Sequence, residues 1–338
     1  MTCSLKYATS LLVLLLFASL PAPSAISGEV STKPKASFVT AVKMGVPVFG
    51  VSLAPYFIAK EKGFYAEEGL KVDFILMPGS VAVTATISGE IEFNNAVGSS
   101  IGASMQGLPI KAVLTLSRKP KYWIFSKPDI RSMADMAGRT LAVGTRGGDQ
   151  HVQTLLLLEK FGFTGKVNVI PMASIAAQAV VNSLISGYVD AGYANESTYF
   201  ELKDKGFREL VNYGDFLEAP SAGVATSQKL IDTNPGIVQA FVNASYHGML
   251  FFKEKRSESI KVMARYMNLD HTSVARTYDL VIDTFGGDGT IPYPSVKKTL
   301  QIRKQILNLT AAVTSYEELF DDRFARNLSK QIGGGFAR

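Results

Sequence analysis

The sequence predicts an α/β protein built as two similar lobes facing a cleft, on three observations. The first is an internal echo. Ile87-Ser-Gly-Glu-Ile-Glu-Phe-Asn-Asn-Ala96 returns as Ile185-Ser-Gly-Tyr-Val-Asp-Ala-Gly-Tyr-Ala194, an offset of 185 − 87 = 98 residues. The second is that the echo extends upstream. Glu61-Lys-Gly-Phe-Tyr65 precedes Val72–Pro78 as Glu159-Lys-Phe-Gly-Phe163 precedes Val167–Pro171. Two copies are too few for a solenoid, so paired βαβ blocks are the better reading. The third is the change of pattern after Asn234, where strand-like runs give way to helical periodicity.

Length and composition agree. A chain of 338 residues can hold two domains with real cores. At 47% hydrophobic and 19% charged it is globular. Its net charge of +6 is scattered, which argues against a nucleic-acid arm.

The first 27 residues read as a signal peptide. Lys6 precedes the apolar run Leu11–Ala18, and small residues and prolines follow to Gly28. The run is short of the ~20 residues that span a bilayer. Ala25 and Ser27 suit cleavage after Ser27, so the mature protein is expected to be exported and soluble. Cys3 is the only cysteine and lies in this segment, which leaves the mature chain without disulfide, thiol nucleophile or thiolate site.

Residues 28–36 read as a linker. Phe38–Met44 predicts the first strand, and Gly45–Ala54 a loop with Ser52 at its tip. Pro55 suits the first turn of a helix ended by Gly63. Val72–Met77 is the second strand. In each repeat a Ser-capped helix, from Ser80 or Ser174, ends at Gly89 or Gly187 and leads into a short buried strand. Lys111–Leu116 and Tyr122–Phe125 are extended, as is Thr140–Val143. Asp149 opens a helix after Gly144-Thr-Arg-Gly-Gly148. Strands near Glu209–Asn212 and Gly223–Thr226 complete the blocks. Runs near 120–127 and 215–226 are expected to pair as two hinge strands. They divide the chain into lobe 1 (37–124 and 226–338) and lobe 2 (125–225). In the tail, Asn234-Pro235 predicts a capped helix, and three more run over 257–267, 273–285 and 295–309. Ser315 and Glu318 form a capping box. The tail is expected to fold back on lobe 1.

Ligands of open α/β sheets sit beyond the carboxyl ends of the strands. Four loops qualify: Gly50–Ala54, Asn94–Ser99, Gly144–His151 and Tyr193–Glu196. Helix starts there offer free N–H groups to an anion. Thr145, Arg146 and His151 can add donors. Arg118 suits an anion and Trp123 a cleft wall, though a solvated Arg and a packed Trp read equally well. Tyr56, Tyr122, Tyr193 and Tyr199 can stack an aromatic ligand or simply be half-buried. Glu92 and Asp190, at matching repeat positions, read as capping residues near strand ends. His151, His247 and His271 lack metal-site spacing. No catalytic triad, zinc or phosphate-loop motif is present.

The run Pro55-Tyr-Phe-Ile-Ala-Lys-Glu-Lys-Gly-Phe-Tyr-Ala-Glu-Glu-Gly-Leu-Lys-Val72 resembles the start of periplasmic substrate-binding proteins of the nitrate/sulfonate/taurine (NMT1/THI5-like) group. Ile87–Phe93, Met136–Val143, Ser186–Ala191 and Asn234–Phe241 fit the group's order. The resemblance implies a two-lobed type II periplasmic-binding-protein fold with two hinge strands. It implies a small ligand held in the cleft between lobes and passed to an ABC permease of the inner membrane. The implied ligand loops supply Ser52, Leu53, Tyr56, Asn95, Gly98, Ser99, Thr145, Arg146, Gly147, Asp149, His151, Asn195 and Glu196, with Arg118 added from the hinge region. Glu92 stands where the group usually has Asp, and Glu196-Ser197 where Glu-Pro is frequent. The expected ligand is a small organic anion: a sulfonate, a taurine-like solute or an aromatic carboxylate. The alternative is a pyrimidine or thiamine precursor. A monomer is expected, with no metal, cofactor, catalytic residue or nucleic-acid partner. An enzyme is the less favoured alternative, because the related thiamine-pyrimidine synthase carries a cysteine-rich motif that this chain lacks. A sensory module is the remaining one.

Overall fold

Two five-stranded sheets carry the molecule, and their strand orders match. The computed structural model describes residues 39–331 apart from 48–49, 173–176, 292 and 311–314. The signal peptide, the linker, Cys3 and the proposed Ser174 cap therefore lie outside the described residues.

The first sheet opens with β1 (Thr40–Val46), α1 (Ala54–Glu61), α2 (Phe64–Glu67) and β2 (Leu70–Leu76). It continues through α3 (Gly79–Ser88), β3 (Phe93–Asn94), α4 (Val97–Ser104) and β4 (Ile110–Ser117). The chain then crosses over. β5 (Tyr122–Ser126), β6 (Thr140–Val143), α5 (Asp149–Lys160), β7 (Asn168–Pro171), α6 (Ala177–Ile185), β8 (Ala191–Asn195), α7 (Tyr199–Asp204) and β9 (Arg208–Asn212) build the second sheet. β10 (Ala222–Ser227) returns to the first. The sheets read β2-β1-β3-β10-β4 and β7-β6-β8-β5-β9. In each, three parallel strands are closed by an antiparallel strand arriving from across the molecule.

The expected pairing of the two hinge runs is corrected here. Tyr122–Ser126 pairs with β8 and β9 inside the second sheet. Ala222–Ser227 lies between β3 and β4 in the first. Each strand is central in its own sheet, where pairing on both sides satisfies its backbone. The short connections beside them touch instead. Ala219 N–H donates to Arg118 O at 2.7 Å, and Ser221 N–H to Ser117 O at 2.8 Å.

The repeat works as a structural unit. Gly89 and Gly187 end their helices at φ +86° and +78°, the left-handed conformation that glycine adopts without Cβ strain. Glu92 and Asp190 do the same job in each lobe. Glu92 accepts from the Lys43 N–H of β1 at 2.6 Å, and Asp190 from the Thr140 N–H of β6 at 3.0 Å. Both acids are strand-end caps, as their positions suggested. The Ser80 cap does not form: α3 starts one residue earlier, at Gly79 after Pro78, with no side-chain cap.

The tail supplies α8 (Gln228–Thr233), α9 (Pro235–Glu254), α10 (Arg256–Met267), α11 (His271–Val281), α12 (Tyr293–Ile306), α13 (Tyr316–Leu319) and α14 (Arg323–Gln331). Asn234 precedes α9 but makes no side-chain cap; Asp270 caps α11 by accepting from Ser273 N–H. α9 packs on α1 and α2, with Phe241 stacked on Phe93 at 3.9 Å. α10 adds Tyr266 stacked on Phe57 at 4.2 Å. Tail residues thus complete the core around α1, α2 and β3. Two tail helices also reach the second lobe. Arg276 of α11 pairs with Asp204 of α7 and lies 4.1 Å from the Phe200 ring. α12 packs on α5. The second lobe keeps a core of its own around Ile124, Leu141, Val143 and Leu157. No helix among the described residues is long and apolar enough to cross a membrane.

Candidate functional site

The predicted loops sit at the carboxyl ends of β1, β3, β6 and β8, and the fold turns those of the two lobes toward each other. Among the described residues, two contacts join the loops of one lobe to those of the other. Ser52 Oγ donates to Glu196 Oε1 at 3.4 Å. Asp149, at the start of α5, reaches the backbone of Gly98 at the start of α4: a Cβ built on Gly98 would lie 2.1 Å from Asp149 Oδ2.

Between these contacts lies an aromatic group. Tyr122 meets Tyr193 and Tyr213 edge-on, at ring distances of 6.2 and 6.0 Å. Tyr213 is fixed from below by a 2.6 Å hydrogen bond with Thr154 of α5. Burial, then the charges of Asp149 and Glu196, holds the Tyr122 phenol well above its usual range. Its ionisation therefore registers both carboxylates. Asn95 Oδ1, at the end of β3, is buried without a hydrogen-bond partner among the described residues. Such a group is costly unless something donates to it.

Of the two arginines expected to meet an anion, one is engaged elsewhere. Arg118 pairs with Asp288 and donates to Thr290 Oγ1 at 2.7 Å. Arg146 is exposed on the Gly144–Gly148 turn. Thr145 is exposed beside it, and Gly147 is covered by Leu307, just past α12. His151 is buried. Its Nδ1 accepts from the Gly147 N–H at 3.0 Å, which requires a neutral ring. Burial, and then Arg146, lowers its pKa, so the loop keeps this bond into mild acid. Asn195 spends its side-chain oxygen on the N–H groups of Ser197 and Thr198, both at 3.2 Å. That turn carries Glu196 toward Ser52. Leu53 and Tyr56 belong to the first-lobe core; the Tyr56 hydroxyl donates to Gly223 O at 2.8 Å. Ser99 is exposed on α4. Of the predicted residues, Ser52, Gly98, Asp149 and Glu196 are thus brought together across the lobes.

Three residues of the site carried no motif. Lys121 sits in the crossover, 2% exposed, its ammonium donating to Ser221 Oγ at 2.9 Å and lying 5.0 Å from the Phe285 ring. Burial lowers its pKa to about 8, against a smaller pull from Glu196. Arg303 of α12 binds Asp149. Gln153 lies one turn beyond Asp149, with its Oε1 buried and unpartnered among the described residues. The spacing Val296, Leu300, Arg303, Leu307 places an arginine in line with an apolar stripe, a signal that could have singled out Arg303.

A cavity of about 490 Å³ lies elsewhere, between α5, residues 216–219 and α12, with Leu156, Glu159, Phe216 and Lys298 in its wall. It includes none of the predicted loop residues. The interlobe contacts and the buried acceptors, rather than cavity size, make the loops the candidate site. Among the described residues, no group of three or more His, Cys, Asp or Glu could hold a metal.

Comparison with known proteins agrees with this architecture. The riboflavin-binding protein RibY of Chloroflexus aurantiacus is 29% identical over 242 residues, 68% of this chain and 64% of that relative's length. The chain thus spans just under two thirds of this relative. The periplasmic sulfonate-binding protein SsuA of Methylobacillus flagellatus superposes with a TM-score of 0.70 at 16% identity, over 87% of this chain and 95% of its own. The desulfurization enzyme DSZB superposes at 0.60 with 17% identity, over 87% and 99%. The fold is therefore that of two-lobed periplasmic binding proteins, and one enzyme shares it. The family model described as NMT1/THI5 like matches residues 51–259, more than half of the chain, and the chain belongs to that family.

Proposed function

We propose that this protein is the solute-binding component of an ABC importer. It holds one small molecule between its lobes outside the cytoplasm and presents it to a permease. It works as a monomer and does not turn its ligand over. The observation that carries this reading is the pairing of Ser52 and Glu196 across the lobes. A ligand touching both loops favours the closed arrangement by its differential affinity for that state.

The chemistry around that contact favours a planar heterocycle rich in N–H donors, of the pyrimidine or flavin class. Glu196, Asp149 and the orphaned Asn95 Oδ1 are acceptors, and Tyr122 and Tyr193 offer ring faces or edges. The riboflavin-binding relative supports the same class. A second reading, a small organic anion, is favoured by the helix start of α5 and by the sulfonate-binding structural neighbour.

A thermal-shift panel of riboflavin, an aminopyrimidine, an alkanesulfonate, taurine and an aromatic carboxylate separates the two. At 100 times its dissociation constant, the true ligand adds about 2.7 kcal/mol to stability. The expected outcome is a shift with riboflavin or the pyrimidine. A shift with the sulfonate alone would establish the second reading.

A further inference from the structure

We infer that α12 carries an interlobe lock, in which Arg303 joins Asp149 of the second lobe to Gly98 of the first and sets how far the lobes part. Arg303 lies on a helix anchored in the first lobe, where Val296 and Leu300 pack against Val97, Ile101 and Met105. Its guanidinium bridges from α4 of that anchor to α5. Nη2 binds the Asp149 carboxylate, and Nη1 donates to Gly98 O at 3.2 Å. The Arg303 side chain is 5% exposed and that of Asp149 30%, so a buried guanidinium engages two groups, one of them partly open to solvent. Breaking one member of such a pair strands a buried charge.

Three further observations point the same way. A side chain at Gly98 would displace the carboxylate: Asp149 occupies the space that a Cβ there would need. Gly102, one turn along the same helix, has nothing within 4 Å of its Cβ position. On either side of Arg303, Lys298 pairs with Glu159 at 2.5 Å and Leu307 covers Gly147, both in the second lobe. Arg303 Nε and Gln153 Oε1 are buried without partners among the described residues, and both residues line one cavity of about 20 Å³. That volume holds a single water, which can join the donor to the acceptor and extend the lock to the next turn of α5. The lock is a property of the lobes themselves and does not depend on which solute they hold.

Gly98→Ala tests it. Within a helix this change favours folding by removing backbone freedom, so its effect on the lobes is separable from stability. Small-angle scattering of the full-length mature protein is expected to show a larger radius of gyration for Gly98→Ala and for Arg303→Gln. The double variant is expected to expand no further than either single one, because both break one contact. Gly102→Ala is the control and keeps the wild-type profile. Circular dichroism checks that each variant is folded; were Gly98→Ala unfolded, Arg303→Gln alone decides. Wild-type scattering from a folded Arg303→Gln variant would overturn the lock.

Discussion

Lys121 shows how a single residue couples the crossover to pH. Its folded pKa of about 8 lies below the ordinary 10.5 because burial disfavours the ammonium. Between those values the unfolded chain binds the proton and the folded chain does not, so stability rises with pH across that window. Tyrosines act oppositely. Tyr193 is pushed up to about 12, and Tyr122 and Tyr213 are raised as well, all chiefly by burial. Above about pH 10 the unfolded chain loses phenolic protons that the folded chain keeps, and stability falls. The melting temperature is expected to climb from pH 8 toward pH 10 and then drop. In Lys121→Met the climb is expected to vanish and the drop to remain; an unchanged climb would move its cause to another group. Nothing in the sequence marked Lys121, because a lysine is normally exposed and only the crossover buries this one. Arg118 shows the converse. Its position near the crossover was legible, but its partner Asp288 lies 170 residues away and no local pattern announces the pair.

At the scale of elements, the repeat was the most legible part of the chain. Local chemistry determines it: a glycine at the left-handed end of a helix, then an acid that caps the next strand pair. Nothing lies within 4 Å of the Cβ position of either Gly89 or Gly187. The cost of alanine there is thus conformational alone, about 1 kcal/mol in each case. Denaturant titration is expected to show that loss for Gly89→Ala and for Gly187→Ala. A neutral result in either would mean that the turn relaxes. The hinge runs were less legible. Extended segments announce strands, but which sheet a strand joins depends on partners far along the chain, and β5 and β10 each chose the opposite sheet from the other. The reach of α11 and α12 to the second lobe was hidden for the same reason. An amphipathic helix shows that it packs, not on what.

At the scale of the molecule, the tail helices make the two lobes unequal. The first lobe is braced by α9 and α10, and α11 and α12 extend from it to α7 and α5 of the second. Motion between lobes must then strain contacts at Arg276–Asp204 and Arg303–Asp149 as well as the crossovers. The same arrangement explains why the ligand class was only partly legible. Glycine-rich loops at helix starts suggest an anion, but that the carboxylates of Asp149 and Glu196 both act on Tyr122 is seen only in the fold. Ser52→Ala and Glu196→Gln, from opposite lobes, are each expected to weaken binding by roughly 10-fold or more, the worth of a hydrogen bond to a charged group.

The most direct measurement is titration calorimetry of the mature protein with riboflavin, an aminopyrimidine and an alkanesulfonate, repeated in Ser52→Ala and Glu196→Gln. The clamp between lobes predicts one-to-one binding of one class, lowered by both substitutions although they lie 144 residues apart. Saturable binding that neither substitution changes would place the ligand outside the cleft and contradict the account.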